Sequence, residues 1–309
     1  MRISIRIGTR GSALALWQAG WVKTRLEGLW PGLPVELVPI TTSGDKIQDV
    51  PLVQAGGKRL FVKEIEEALL SGVVDLAVHS MKDVPVDLPD GLTLSAVPER
   101  EDPRDVLITR HGETLAELPA GTRVGTSSLR RQALLLHLHP GLRVEMLRGN
   151  VDTRLRKQRE GVVDATVLAV AGLKRLNLLP EHHHVLDERV FLPAIGQGAL
   201  GIETRVDGEV IALLSSLHHA DTAVAVSAER ALLRRMGGNC RTPLAAKGTV
   251  LDGMIHLVAL VASPDGRRLI RGERSGPVST AEEIGTSLAE ILLAQGGQEI
   301  LEELANTDN

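Results

Sequence analysis

Arginines and small hydroxyl residues recur just after short apolar runs in this chain. Arg10 and Ser12 follow the run Ile3–Ile7. Thr126, Ser127, Ser128, Arg130 and Arg131 follow a run that begins at Arg123. Arg148, Gly149 and Asn150 follow Arg143–Leu147, and Arg154 comes one helical turn later. These residue types at helix starts suit anion binding. Backbone N–H groups at a helix N-terminus attract negative charge. Arginine forks grip carboxylate or phosphate at two points. In an open α/β sheet, ligands sit at the carboxyl ends of the strands. For any one cluster, ordinary N-capping beside a solvated face would suffice. Their recurrence in equivalent positions points to a ligand with several negative groups.

Other segments carry reactive side chains. The apolar run Asp75–Val78 delivers His79, Ser80, Lys82 and Asp83 in quick succession. An aspartate beside a lysine is by itself usually a weak surface pair. Cys240 stands in the glycine-rich stretch Met236–Pro243, next to Arg241. A lone cysteine is most often a small buried apolar residue, but this context also suits a thiol of lowered pKa. His182-His183-His184 has no second ligand cluster at metal-binding spacing and reads as a solvated connection, so no metal site is expected. Gly196-Gln-Gly198-Ala-Leu-Gly201 approaches a dinucleotide pattern but opens no helix.

The elements that would position these groups alternate. Strands are expected over Ile3–Ile7, Val35–Ile40, Asp75–Val78, Arg123–Thr126, Arg143–Leu147 and Asp164–Val170. Helices are expected over Ala13–Leu29, Phe61–Leu70, Ser128–His137, Val151–Glu160 and Ala171–Leu178. That order predicts parallel strands covered by helices. Gly8–Ser12 reads as a turn, Thr41–Lys58 as a long polar loop, and Leu192–Glu203 as a return crossover. Pro98–Pro103 reads as a hinge. A helix over Thr222–Arg235, a hairpin across Pro264-Asp265-Gly266 and helices over Ala281–Leu293 and Gln298–Leu304 form a small α+β module.

A chain of 309 residues suggests two or three domains. Apolar residues at 43% and charged residues at 24% are ordinary for a globular protein. Net charge of −4 with three Trp, two Phe and no Tyr argues against nucleic acid as the partner. One cysteine excludes an intrachain disulfide and fits a reducing compartment. Apolar runs such as Ala165–Ala171 are far short of the ~20 residues of a spanning helix. A cytoplasmic monomer with no membrane partner is expected.

Several stretches together resemble the porphobilinogen deaminase (hydroxymethylbilane synthase) family over essentially the whole chain. They include Ala15–Ala19, Gly56–Glu64, Ala77–Pro85, Glu99–Asp105, Val124–Gln132, Leu147–Asn150, Leu168–Leu176 and Leu192–Ala199. The resemblance implies an α/β fold: two periplasmic-binding-protein-like α/β domains flanking a cleft, plus a small C-terminal α+β domain. Residues 1–99 with 197–217 would form domain 1, residues 100–196 domain 2, and residues 218–309 domain 3.

It also implies a transferase of porphyrin biosynthesis. Four porphobilinogen units are joined head to tail, ammonia is lost each time, and hydroxymethylbilane is freed by hydrolysis. A dipyrromethane cofactor would be bound through a thioether to Cys240. Many family members have Gly-Gly-Cys where this chain has Gly238-Asn239-Cys240. Ser12, Lys82, Thr126, Ser127, Ser128, Arg130, Arg131, Arg148 and Gly149 would hold the cofactor. Arg10, Ser12, Arg148, Arg154, Arg175, Lys58 and Gln197 would bind substrate. Asp83 would be the catalytic acid, stabilising an electron-poor azafulvene-type cation. Each pyrrole carries an acetate and a propionate, so unpaired burial would be costly. One ion pair at ~4 Å and an effective dielectric of ~20 is on the order of 4 kcal/mol before desolvation. The competing function is a polycarboxylate-binding module of the same fold, which would not need both Asp83 and Cys240.

Overall fold

The computed structural model describes residues 4–46, 61–238 and 242–307. Lys58 and Cys240 lie outside these residues, as does most of the expected loop Thr41–Lys58. The chain divides into two compact units, Met1–Glu101 with Ala199–Ala223, and Asp102–Gly198 with Val224–Asn309.

The first unit opens with β1 (Ile5–Arg10), α1 (Ala13–Leu29), β2 (Val35–Ile40), α2 (Ser43–Lys46), α3 (Lys63–Leu70), β3 (Leu76–Ser80) and β4 (Leu92–Ala96). The second unit begins with β5 (Asp105–Ile108), β6 (Arg123–Gly125), α4 (Leu129–Leu138), β7 (Arg143–Glu145), α5 (Val151–Arg159), β8 (Ala165–Ala169), α6 (Val170–Leu176) and β9 (His183–Val185). The chain then returns to the first unit as β10 (Leu200–Arg205) and α7 (Ile211–Leu214). α8 (Ala220–Arg235), β11 (Leu244–Leu251), β12 (Met254–Ala262), β13 (Leu269–Pro277), α9 (Ala281–Leu292) and α10 (Gln298–Thr307) complete it.

The first sheet has the order β2-β1-β3-β10-β4. β1 runs parallel to β2 and β3, whereas β10 runs antiparallel to β3 and β4. Ala19, Val22 and Leu26 recur at helical spacing on α1 and cover one face, against Ile5, Ile7, Leu76 and Val78. Ile65 and Leu69 of α3 cover the other face, with Val74 and Ala77. Ser12 caps α1, its Oγ accepting from the Ala15 amide at 3.3 Å. Each fully buried Leu or Ile contributes roughly 1.5–3 kcal/mol.

The second sheet has the order β7-β6-β8-β5-β9, with β6 parallel to β7 and β8. β5 is antiparallel to β8 and β9. The third sheet, β11-β12-β13, is wholly antiparallel. It packs within the second unit: Ala245, Leu260 and Ala262 share a core with Leu134 and Leu135 of α4. Gly266 seats the hairpin on that helix. Its φ is +71°, and a Cβ there would lie 2.5 Å from the His137 amide nitrogen.

Several expectations need correction. The two larger sheets are mixed, not all parallel, because β4, β5, β9 and β10 pair antiparallel. β1 continues through the expected turn at Gly8, since its pairing with β2 runs to Arg10. Leu200–Arg205 is a central strand, not a mere crossover. His183 and His184 belong to edge strand β9 and pair with β5.

Candidate functional site

In the first unit, β1 and β3 are parallel neighbours, so their carboxyl ends share one sheet edge. Arg10 ends β1, and its guanidinium carbon sits 4.4 Å from the centroid of the Phe61 ring. A cation over an aromatic face is attracted by the ring's negative face. Ser12 follows as the α1 cap. At the end of β3, a short 3₁₀ turn over Met81–Asp83 closes with the Val84 amide donating to the Met81 carbonyl at 3.1 Å. Met81 is buried under that turn, and Lys82 and Asp83 are exposed. Two neighbouring residues thus present an acid and a base to solvent on a backbone held from beneath.

In the second unit, polar residues follow two of the three parallel strands, β6 and β7. After β6, the Ser128 amide donates to Thr126 Oγ1 at 3.2 Å. Ser128 caps α4, its Oγ accepting from the Arg131 amide at 3.4 Å. Ser127 accepts from Arg154 Nη2 at 3.4 Å, and Arg154 Nε donates to the Gly149 carbonyl at 2.7 Å. Gly149 has φ of +122°, and a Cβ there would meet Thr153 Cγ2 at 2.7 Å. Glycine is therefore required at the turn that follows Arg148. Nη1 of Arg148 is buried and has no hydrogen-bond partner among the described residues. Thr126, Ser127, Ser128, Arg148, Gly149 and Arg154 lie together at these strand ends.

Arg130, Arg131 and Gln197 are placed differently. All three are buried around Asp105, at 4%, 5% and 1% exposure. Asp105 accepts from Arg130 Nη2 at 2.7 Å, from Arg131 Nη2 at 2.8 Å and from Gln197 Nε2 at 2.9 Å. Burial alone would raise the Asp105 carboxyl, but the two guanidinium charges and their hydrogen bonds outweigh it and hold it far below the ordinary carboxylate range. Burial pushes the Arg130 guanidinium below its ordinary value. Two cations on one carboxylate leave a net positive charge in this buried cluster. Arg175 also turns to backbone, Nη2 donating to the Gly198 carbonyl at 2.7 Å.

A dipyrromethane group carrying acetates and propionates fits this donor set. A buried guanidinium nitrogen without a partner among the described residues, a net positive cluster and three hydroxyls suit carboxylates better than any neutral ligand. Asp105 carried no role in the sequence reading. Its signal is one acid opening an otherwise apolar run, Asp105-Val-Leu-Ile. Phe61 was likewise legible only as part of a helix.

Residues 5–212 match the family model described as "Porphobilinogen deaminase, dipyromethane cofactor binding domain". Residues 223–294 match its C-terminal domain. A porphobilinogen deaminase from Syntrophotalea carbinolica is 59% identical over 96% of this chain and 95% of its own length. Another, from Pelobacter propionicus, is 55% identical over 97% of each chain. Among solved structures, the periplasmic aliphatic sulphonate binding protein SsuA from Escherichia coli aligns with 76% of this chain and 70% of its own, at 18% identity and a TM-score of 0.42. No helix among the described residues is long and apolar enough to cross a membrane.

Proposed function

Since the chain belongs to the porphobilinogen deaminase family, we propose that it joins porphobilinogen units head to tail on a covalent dipyrromethane primer and releases hydroxymethylbilane by hydrolysis. Nη1 of Arg148, buried without a partner among the described residues at a strand end lined with hydroxyls, is the observation that carries the anion-binding part of this reading. Family membership does not favour a module that only binds polycarboxylates.

Arg148, Ser127, Ser128, Thr126 and the Gly149 turn take the acetate and propionate groups of the cofactor, with Ser12 and Lys82 as further donors. Arg130 and Arg131 add fixed charge from behind, since Asp105 neutralises only one of them. Arg10, Ser12, Arg148, Arg154, Arg175, Lys58 and Gln197 serve the incoming substrate. Of these, Gln197 acts through Asp105, and Arg175 through the Gly198 carbonyl. The cofactor, when bound, would supply the nucleophilic terminal pyrrole that takes the first unit. Cys240 anchors it through sulfur.

Asp83 is the catalytic residue. Its carboxylate stabilises positive charge developing on the pyrrole as ammonia leaves. It then accepts the proton lost from the attacked ring carbon. The exposed turn lets Asp83 meet successive units. The protein works as a cytoplasmic monomer without nucleic acid or membrane partners. The division into 1–99 with 197–217, 100–196 and 218–309 belongs to the same reading.

The test is turnover of porphobilinogen by the purified full chain, with ammonia and hydroxymethylbilane both measured. Four ammonia per product supports the reading. Tight binding of porphobilinogen without either product would replace it with the binding module.

A further inference from the structure

β3 carries a buried pair that the proposed chemistry does not use. His79 Nε2 lies 2.9 Å from Glu203 Oε2, across from β3 to β10. The two residues are only 6% and 1% exposed. Oε1 of Glu203 is buried and has no partner among the described residues. Stability does not account for such a pair. An apolar pair of the same volume is often as stable or more so, and an unsatisfied buried oxygen is a cost.

The placement of the pair suggests a reason. Each of the three residues before Lys82 and Asp83 is held by a different neighbour. His79 is held by Glu203 of β10. On the opposite face of the sheet, Ser80 Oγ accepts from Gln18 Nε2 of α1 at 2.9 Å. The Met81 amide donates to the Ala199 carbonyl at 3.0 Å. The Met81 side chain fills the space a side chain on Gly201 would need, since a Cβ there would lie 2.9 Å from Met81 Cε. Gly201 stands opposite His79 in the same register. The strand end is therefore fixed on both faces just where the turn bearing Asp83 departs. Reactive groups keep their geometry only when the residues behind them are locked in this way.

We propose that Glu203, acting through His79, is a positioning residue for Asp83. This rests on Asp83 being the catalytic residue. Glu203 does not touch substrate. It fixes the direction in which β3 ends, and so where the carboxylate of Asp83 stands.

The test replaces the pair with an apolar one, His79→Leu with Glu203→Leu, in the full chain loaded with cofactor. The expected result is a melting temperature at or above that of the parent, intact cofactor mass, kcat lowered at least tenfold and KM within twofold. Glu203→Gln keeps a side chain able to hydrogen-bond His79 and should recover kcat to within threefold of the parent. A double variant with kcat within twofold of the parent overturns the proposal. If the double variant fails to load cofactor, Glu203→Gln and Glu203→Ala are compared. A tenfold gap in kcat supports positioning, and equal kcat overturns it. Asp83→Asn is run alongside. If it turns over normally, the reading of Asp83 fails whatever Glu203 does. If it is inactive while the double variant is normal, only the positioning role is lost.

Discussion

Nη2 of Arg131 donates to Oδ1 of Asp105 at 2.8 Å, with both groups buried. The other carboxylate oxygen takes Nη2 of Arg130 at 2.7 Å. The first turn of α4, which presents Ser128 and both arginines, is thereby anchored to the start of β5.

Removing this carboxylate leaves two buried guanidiniums without their counter-charge. Breaking a buried pair from one side costs about 3–5 kcal/mol. Asp105→Asn should lose about that much in urea unfolding and should load cofactor poorly. The pH dependence follows from the depressed carboxyl. A group whose folded pKa lies below its unfolded value adds stability that is full above about pH 4 and shrinks as pH falls. The stability gap between parent and Asp105→Asn should therefore be flat from neutral pH to about 4, and narrow only in stronger acid. A gap that widens on acidification would contradict this pairing.

Asp83→Asn keeps the shape of the exposed turn and removes its charge. Turnover should fall roughly 10²–10³-fold, the range seen when one group stabilising transition-state charge is lost. Unfolding free energy should move by no more than about 0.5 kcal/mol. Steady-state ammonia release and a denaturant titration report the two effects separately.

Arg148→Ala removes a guanidinium whose Nη1 has no partner among the described residues. Stability should therefore hold, while binding of the carboxylate-bearing chain weakens. A hydrogen bond to a charged group contributes about 1.5–3 kcal/mol, so KM should rise roughly tenfold to a hundredfold, with elongation stalling at early intermediates. Arg148→Lys should recover little, because an ammonium cannot grip a carboxylate at two points. Unchanged elongation on a native gel would place Arg148 outside the site.

Gly149→Ala should destabilise the turn after Arg148. The left-handed φ of +122° and a contact of 2.7 Å to Thr153 Cγ2 both oppose a side chain. A loss of about 1–3 kcal/mol is expected, together with raised KM. Pairing it with Thr153→Ala should relieve only the Cγ2 contact, since Thr153 Cβ would still lie 2.9 Å away and the φ penalty stays, so recovery should be small.

The intact mass of the purified chain should exceed that of its amino acids by two linked pyrroles. Cys240→Ala should remove the excess and the activity together. A bare mass alongside full activity would end the thioether assignment.

Much of this protein was legible from local chemistry. The helix Ala13–Leu29 and the strand Val35–Ile40 fall where spacing and turn residues set them, because caps, period and proline act within a few residues. The polar strand ends were legible for the same reason, as Thr126–Ser128 and Arg148–Gly149 are contiguous motifs. Partners distant in sequence were not. His79 and Glu203 are 124 positions apart, and Arg131 finds Asp105 across 26. Nothing local to an arginine says whether its charge meets a ligand or an internal carboxylate. Only the tertiary structure decided that Arg130, Arg131 and Gln197 turn inward while Arg148 Nη1 meets no partner among the described residues, since buried charge goes wherever folding brings its counter-charge. The sequence determined the residue types and the elements that carry them. Sheet order, including the antiparallel return of β10, determined which of them stand at the strand ends and which pair with each other inside.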